Sequence, residues 1–129
     1  MAYDRRAMID VQWLDFVSVP TRDIARARDF YVRVLGLRPS PFSAGEVEAG
    51  NVTLGFWNPE QDGEQFQPNV AGIALRVPDV ADARAALEAA GVDFIGATVD
   101  SGVCHMAFLR DPDGNTVILH HRYAPRERR

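Results

Sequence analysis

Apolar and polar residues alternate along this chain in two successive series of short segments, and each series contains one helical stripe. In the first series, the β-branched and aromatic residues 11–19 predict a strand. Residues 24–35 predict a helix, because apolar side chains recur at helical spacing between a capping Asp23 and a terminating Gly36. Three short strands are then predicted, at residues 37–42, 46–49 and 52–57.

The second series repeats this order after a polar linker, residues 58–69. It predicts a strand at residues 70–77 and a helix at 80–90, with Asp79 as its cap and Gly91 at its end. Strands follow at residues 93–99, 103–110 and 116–122. Residues 111–115, Asp-Pro-Asp-Gly-Asn, have the composition of a hairpin turn between the last two strands.

The two series can be superimposed. Aligning residues 16–23 with 72–79 brings the two capping aspartates together, and Gly50-Asn51 matches Gly114-Asn115. The repeat predicts an α+β fold of two tandem βαβββ modules that form a cupped mixed sheet with helices on the convex side. Residues 1–129 are expected to be one domain, with modules at about 11–57 and 70–123 and a frayed tail at 124–129. A ferredoxin-like βαββαβ arrangement would need fewer strands.

Charge and cysteine content narrow the range of partners. The formal net charge is −4 and the basic residues are scattered, which argues against nucleic-acid binding. No apolar run approaches the length of a membrane span, and a signal peptide's apolar region is missing. The single cysteine, Cys104, excludes an intrachain disulfide, so a cytoplasmic protein is expected.

Three segments resemble a known family, the vicinal oxygen chelate superfamily, which is also called the glyoxalase/bleomycin-resistance/dioxygenase superfamily. They are VSVPTRDIARARDFYVRVLGL at 17–37, IALRVPDVADARAALEAAGV at 73–92 and FLRDPDGNTVILHH at 108–121. The resemblance implies paired modules around a cavity, frequent homodimers, and a divalent metal held by the first and last strands of each module.

The resemblance places the four metal-ligand positions at Phe16, Leu54, Gly72 and Ile118. None of these side chains has a donor atom for a divalent metal. We therefore expect no metal and no other cofactor, with a divalent metal at an altered site as the alternative.

Strand alternation and the family's orientation predict a cavity wall that is mostly apolar and aromatic. Such a wall suits an organic small molecule, and Gly72 and Ala74 would leave room opposite Phe16. The alternative is that the same side chains fill the cup completely. The wall comprises Phe16, Ser18, Leu54, Phe56, Gly72, Ala74, Met106, Phe108, Ile118 and His120.

The first functional hypothesis is therefore a metal-free protein, expected as a homodimer, that binds an apolar or aromatic ligand in the sheet cavity. The second is a superfamily enzyme, a lyase/isomerase or dioxygenase, with an altered metal site or acid/base chemistry at His120. The third is a structural or regulatory partner without a small ligand.

Two other candidate sites concern individual residues. Cys104 and His105 are adjacent on one strand and therefore face opposite sides, which argues against a direct nucleophile pair. Arg76 could pair with an anionic ligand.

Overall fold

A computed structural model of the chain describes residues 7–126 and confirms two tandem βαβββ modules. The first contains β1 (Phe16–Pro20), α1 (Ile24–Asp29), β2 (Arg38–Pro39), β3 (Glu46–Glu48) and β4 (Thr53–Trp57). The second contains β5 (Ile73–Arg76), α2 (Val80–Ala89), β6 (Phe94–Asp100), β7 (Cys104–Arg110) and β8 (Thr116–Arg122). In the described part of the chain, no helix has the length and apolar composition needed to cross a bilayer.

Each module forms its own four-stranded mixed sheet, in the orders β1-β4-β3-β2 and β5-β8-β7-β6. The first and last strands of each module pair in parallel, and the remaining pairs are antiparallel. Among the described strands no pair joins the two sheets, so β1 and β5 are both edge strands.

Local capping chemistry fixes both helices where the sequence predicts them. The carboxylate of Asp23 accepts a hydrogen bond from the backbone of α1 at 3.0 Å, and that of Asp79 accepts one from α2 at 2.8 Å. Each satisfies an N–H group that has no partner within the first turn. The first helix continues as a π-helical turn, Phe30–Val34, which ends with Leu35 N–H donating to the Phe30 carbonyl at 3.1 Å.

Three predicted strands are too long, and the one predicted at 70–77 is observed only at Ile73–Arg76. The strand predicted at 11–19 begins only at Phe16, because its partner β4 begins opposite it at Thr53 and leaves residues 11–15 without a neighbour. The strand predicted at 37–42 is reduced to two residues. Pro39 and Pro41 lack the backbone N–H groups that a longer ladder would need.

The predicted linker and tail are partly ordered by contacts. Residues 58–69 include a 3₁₀ turn, Pro59–Asp62, and the buried Phe66, whose ring lies 4.4 Å from the guanidinium of Arg22. In the tail, Ala124 N–H donates to the carbonyl of Val103 at 3.2 Å, and residues 127–129 lie outside the described residues.

One continuous hydrophobic core holds each helix against its sheet. Tyr31 of the π-helical turn is fully buried and packs against Phe56 of β4, with ring centroids 5.2 Å apart. Val80 of α2 is buried in the same cluster as Leu109 and Leu119 of the second sheet. The cluster crosses from one module to the other, so the two modules share a core.

A polar network also joins the modules at residues 111–115, which we call the junction turn. The Asp111 carboxylate accepts hydrogen bonds from the Tyr31 hydroxyl at 2.7 Å and from the Asn115 side-chain amide at 2.8 Å. That amide also donates to the Pro20 carbonyl at 2.8 Å. The hairpin turn therefore connects β1 and α1 of the first module to the second.

A second carboxylate in the junction turn completes this connection. Asp113 accepts hydrogen bonds from the Thr21 hydroxyl at 2.6 Å, the Arg22 backbone at 3.0 Å and the Arg26 guanidinium at 2.8 Å. Because its side chain is only 1% exposed, these charge-assisted bonds are shielded from solvent.

Candidate functional site

Each sheet has one face against its helix and one open face, and strand register decides which side chains share a face. In the second sheet, Ala74 is opposite Ile118, while Met106 and Phe108 are opposite His120 and Ile118. Their sequence neighbours, including the buried Val117 and Leu119, belong to the core. These five side chains consequently lie together on the open face, as the sequence predicts.

In the first sheet, the structure places Phe16 and Ser18 on the open face, but it places Leu54 and Phe56 in the core, contrary to the face predicted for them. Leu54 pairs in parallel with Val17 and is 2% exposed, and Phe56 is also buried in the core. Both therefore face the helix. Phe16, by contrast, is 54% exposed on the open face.

The faces of Leu54 and Phe56 are predicted wrongly because Gly50-Asn51 and Gly114-Asn115 are not structurally equivalent. In the second module, Asn115 closes the turn, because its backbone carbonyl accepts a hydrogen bond from Asp111 N–H at 2.8 Å. In the first module the closing pair is Ala49 and Val52, so Asn51 lies inside the turn. The following strand is thus displaced by one residue, which reverses the faces of its side chains.

Residues of β4 with odd numbers occupy the open face instead. Gly55 lies against Phe16, since a Cβ at that position would be 3.5 Å from the Phe16 ring. Trp57 is partly exposed and donates its indole N–H to Asp62 at 2.7 Å. The hydroxyl of Thr53 donates to the carboxylate of Glu48 on the neighbouring strand.

Gly72 does not provide the open space expected from its missing side chain. Its φ is +90°, and a Cβ would lie 3.0 Å from Cγ2 of Thr116 and 3.1 Å from the Thr116 carbonyl oxygen. Close packing and backbone conformation, rather than a ligand, require glycine here. The small residue that remains exposed on this face is Ala74.

The corrected register moves the fourth metal position from Leu54 to Gly55, and the set Phe16, Gly55, Gly72 and Ile118 still does not fit a divalent metal. None of these four residues has a side-chain oxygen, nitrogen or sulfur atom that could bind the ion. Across residues 7–126, no three His, Cys, Asp or Glu side chains come close enough to share a metal.

The other candidate polar residues are divided between the two faces. Cys104 and His120 belong to the open face, with Cys104 opposite Arg122, while His105 and His121 pair on the opposite face. The His121 ring lies 3.0 Å from the Val77 carbonyl oxygen, which gives it a structural contact.

His105 belongs to an exposed cluster at the β6–β7 end of the second sheet, which the sequence did not reveal. Its Nε2 lies 3.4 Å from an Asp100 oxygen, and its ring stacks near Tyr123 with centroids 4.7 Å apart. The Tyr123 hydroxyl donates to Asp100 at 2.7 Å, and this bond, with one from the Gly102 amide, lowers the pKa of Asp100 below its usual value.

The open face of the second sheet is cationic as well as apolar. Arg76 is opposite His120, and Arg122 and Arg110 follow at two-residue spacing on β8 and β7. The one acidic residue in these four strands, Asp100, pairs with His105 on the other face. The Nε atom of Arg122 is buried without a hydrogen-bond partner among the described residues. This face can therefore attract an anion beside an apolar surface.

A separate cavity of about 920 Å³ lies at the boundary between the modules, and we call it the junction cavity. It runs along β5, where each residue from Ile73 to Val77 lines it. The surrounding wall is mainly apolar and includes residues from both modules: Val17, Leu35, Leu37, Val52, Leu54, Ala83, Ala86, Leu87 and Leu119.

The junction cavity arises where the second half of the repeat differs from the first. Superposing the helices places Leu87 at the position of Tyr31, and the turn-closing pair Ala49 and Val52 corresponds to Asp111 and Asn115. In one half, polar side chains fill the boundary with hydrogen bonds. In the other, shorter apolar side chains line a cavity. The sequence signals this difference between the halves, because Leu87 occupies the position at which the first half has Tyr31.

Comparisons with known proteins agree with this architecture. A family model described as the Glyoxalase/Bleomycin resistance protein/Dioxygenase superfamily matches residues 13–119. No curated protein sequence matches the chain significantly.

Several solved structures are similar at low sequence identity. A member of the same superfamily from Sphaerobacter thermophilus is 22% identical with a TM-score of 0.70, over 85% of this chain and 97% of that one. A putative glyoxalase family protein from Bacillus anthracis is 20% identical with a TM-score of 0.72, over 90% and 99%. A lactoylglutathione lyase from Agrobacterium tumefaciens is 17% identical with a TM-score of 0.70, over 86% and 94%. At these identities the similarity establishes the fold alone.

Proposed function

We propose, since the chain belongs to the Glyoxalase/Bleomycin resistance protein/Dioxygenase superfamily, that it binds an apolar or aromatic organic anion on the open face of its second sheet. Binding would use no metal at the family's ligand positions, because Phe16, Gly55, Gly72 and Ile118 do not form a donor set. The protein would act by holding its ligand rather than by transforming it.

The observation that carries this proposal is the combination of side chains on that face. Met106, Phe108 and Ile118 form a partly buried apolar centre, and the exposed Ala74 lies beside it. Such a surface favours an organic molecule that removes apolar area from water, at about 25 cal/mol per Å². An aromatic or extended aliphatic group would satisfy this centre.

The anionic character of the ligand follows from the charges around the centre. Arg76, Arg110 and Arg122 all point to this face, and no acidic side chain of the four strands accompanies them. A carboxylate can receive two parallel hydrogen bonds from a guanidinium group. The buried Nε of Arg122 gains a partner if the ligand supplies an oxygen acceptor.

Binding fits His120 better than acid/base catalysis does. A catalytic histidine is usually oriented by a carboxylate or carbonyl on its second nitrogen. On this face, His120 has Arg76 and Met106 as its cross-strand neighbours, and neither side chain supplies a carboxylate or carbonyl oxygen that would orient the ring. The enzyme hypothesis therefore has no specific contact in its favour.

The proposal is tested with 2-naphthoate and its uncharged analogue 2-naphthalenemethanol, in calorimetry and thermal-shift measurements with and without EDTA. We expect 2-naphthoate to bind and to raise the melting temperature, as a ligand of the folded state must. We also expect weaker binding of the alcohol and no effect of EDTA. Equal affinity for both compounds, absence of binding by both, or loss of binding on chelation would each contradict the proposal.

A matched pair of variants locates the site. Arg76→Gln removes a charge from the open face and should weaken 2-naphthoate binding severalfold. Arg33→Gln removes the same charge from the exposed surface of the first helical segment, where it pairs with Asp29, and should leave the affinity unchanged. Identical effects of the two substitutions would point to non-specific charge attraction.

A further inference from the structure

The edge strand of the second sheet, β6, contains a β-bulge. Ile95 is opposite Phe108 on β7. Val99, four residues later, is opposite Met106, which is only two residues from Phe108. Gly96 begins the bulge with a φ of +69°, a conformation that favours glycine. The sequence thus provides the residue that this irregularity in β6 requires.

A single arginine of α2 holds the bulge in place. Arg84, whose side chain is only 19% exposed, donates to the Gly96 carbonyl at 2.9 Å and to the Thr98 hydroxyl at 3.1 Å. Its guanidinium carbon lies 4.7 Å from the centroid of the Phe94 ring, within the range of a cation–π contact. These contacts connect the bulge to the helix side of the sheet, so the bulge has one defined conformation.

The bulge determines which side chain of β6 stands beside Met106. In a regular ladder continued from Ile95, Ala97 would be opposite Met106. The observed register places Val99 there instead. Ile95 and Val99 therefore become neighbours on the open face, where they are 42% and 41% exposed. Bulges commonly re-aim side chains next to binding sites, and this one adds apolar surface to the open face.

The cross-strand pairs show that the open face has a charged side and an apolar side. One row contains only apolar residues from β5 to β6, namely Ala74, Ile118, Phe108 and Ile95. The adjacent row changes from polar to apolar in the same direction, through Arg76, His120, Met106 and Val99. Arg122 follows on β8, and Arg110 lies at the end of β7 beyond both rows. The cations next to the second row thus lie on β5 and β8, while the β6 edge is apolar.

We propose, on the basis of the function proposed above, that the ligand is an elongated amphipathic anion that lies across the strands, with its apolar end over Ile95 and Val99. Its acidic group would lie at Arg76 and Arg122. Neighbouring strands are about 4.8 Å apart, so the apolar body would cover about 10 Å from β8 to β6. The bulge would select for ligand length, and Arg84 would act as a positioning residue that keeps the bulge in this form.

The experiment compares two carboxylates that differ only at the end opposite the acidic group, 2-naphthoate and 6-phenyl-2-naphthoate, by calorimetry. We expect the phenyl derivative to bind at least about tenfold more tightly, because its added ring removes further apolar area from water. Val99→Ser should abolish most of this gain and leave the affinity for 2-naphthoate nearly unchanged. Val103→Ser makes the same change at a valine that is 40% exposed in the turn before β7, and should retain the gain.

A third variant tests the bulge itself. Arg84→Met removes the hydrogen bonds to Gly96 and Thr98, keeps an apolar side chain near Phe94, and should reduce the gain while preserving 2-naphthoate binding. A gain that survives this substitution, or equal loss of both affinities, overturns the role of the bulge.

The two ligands also separate this inference from the proposed function on which it rests. Binding of 2-naphthoate without a gain for the phenyl derivative overturns the inference alone. The same holds for a gain that survives Val99→Ser or that is lost equally in Val103→Ser. A wild-type protein that does not bind 2-naphthoate contradicts the proposed function and the inference with it.

Discussion

Replacing Tyr31 by phenylalanine tests whether the junction turn holds the two modules together. Tyr31 lies in the first module and donates its hydroxyl hydrogen to Asp111, 80 residues away, at 2.7 Å. The substitution removes this one hydrogen bond and retains the ring that packs against Phe56. It therefore creates no cavity in the core.

At neutral pH the expected loss follows from the kind of bond removed. A hydrogen bond to a charged group contributes about 1.5–3 kcal/mol to stability. Asp111 keeps its bonds from the Asn115 side chain and from the backbone of Asp113 and Asn115. The carboxylate is therefore not left without partners, and we expect the free energy of unfolding to fall by about 2 kcal/mol.

At high pH the difference in stability between the two proteins should shrink. Burial and the nearby Asp111 carboxylate raise the pKa of the Tyr31 phenol far above its usual value of 10.0. Between pH 10 and that raised pKa, only the unfolded wild-type chain loses the phenolic proton, so wild-type stability falls as pH rises. The loss reaches about 1.4 kcal/mol at pH 11, and Tyr31→Phe does not undergo it.

Urea unfolding of both proteins at pH 8, 9 and 11, followed by circular dichroism, measures this convergence. The chain has no lysine, so few other groups titrate in this range. Tyr123→Phe, which alters an exposed tyrosine, is the control. Because it retains Tyr31, its stability should still fall between pH 8 and pH 11 by the amount expected for that residue. A gap between wild type and Tyr31→Phe that is unchanged from pH 8 to pH 11 would refute this account.

Three further substitutions test the register and the backbone. Leu54→Ala should cost about 2–5 kcal/mol in urea unfolding, whereas truncating the half-exposed Phe16 to alanine should cost clearly less; equal losses would contradict the corrected register. Gly72→Ala should lower stability by more than about 1 kcal/mol, because its positive φ and the contact with Thr116 both resist a Cβ; an unchanged melting temperature would contradict this. Asp79→Ala should cost about 1 kcal/mol through loss of the α2 cap, and Asp79→Asn, which retains an acceptor oxygen, should recover most of it.

The parts of the fold that could be predicted from sequence are those determined by local chemistry. Asp23 and Asp79 cap the helices, Gly36 and Gly91 end them, and the junction turn has the composition of its hairpin. Strand extents were less predictable, because a strand ends where its neighbour does. Residues 11–15 have the pattern of a strand and no partner strand among residues 7–126.

The candidate site depended on register, which local chemistry fixes less well. Counting from Gly-Asn gave the correct face for Ile118 and the wrong one for Leu54, because one turn has an additional residue in its loop. The bond between Tyr31 and Asp111 was also beyond local reasoning, since it joins residues in different modules.

The two halves of the repeat differ in the chemistry of the boundary between the modules. Where the first helix presents Tyr31, a buried phenol and two carboxylates of the junction turn form hydrogen bonds that only this geometry satisfies. The second helix has Leu87 at the corresponding position. Leucine cannot donate a hydrogen bond, and an apolar cavity lies there along β5, an edge strand of the second sheet. A polar boundary is specific and closed, because each donor needs its acceptor. An apolar boundary needs no such pairing of donors with acceptors, and here it leaves the junction cavity where the other half has a hydrogen-bonded contact.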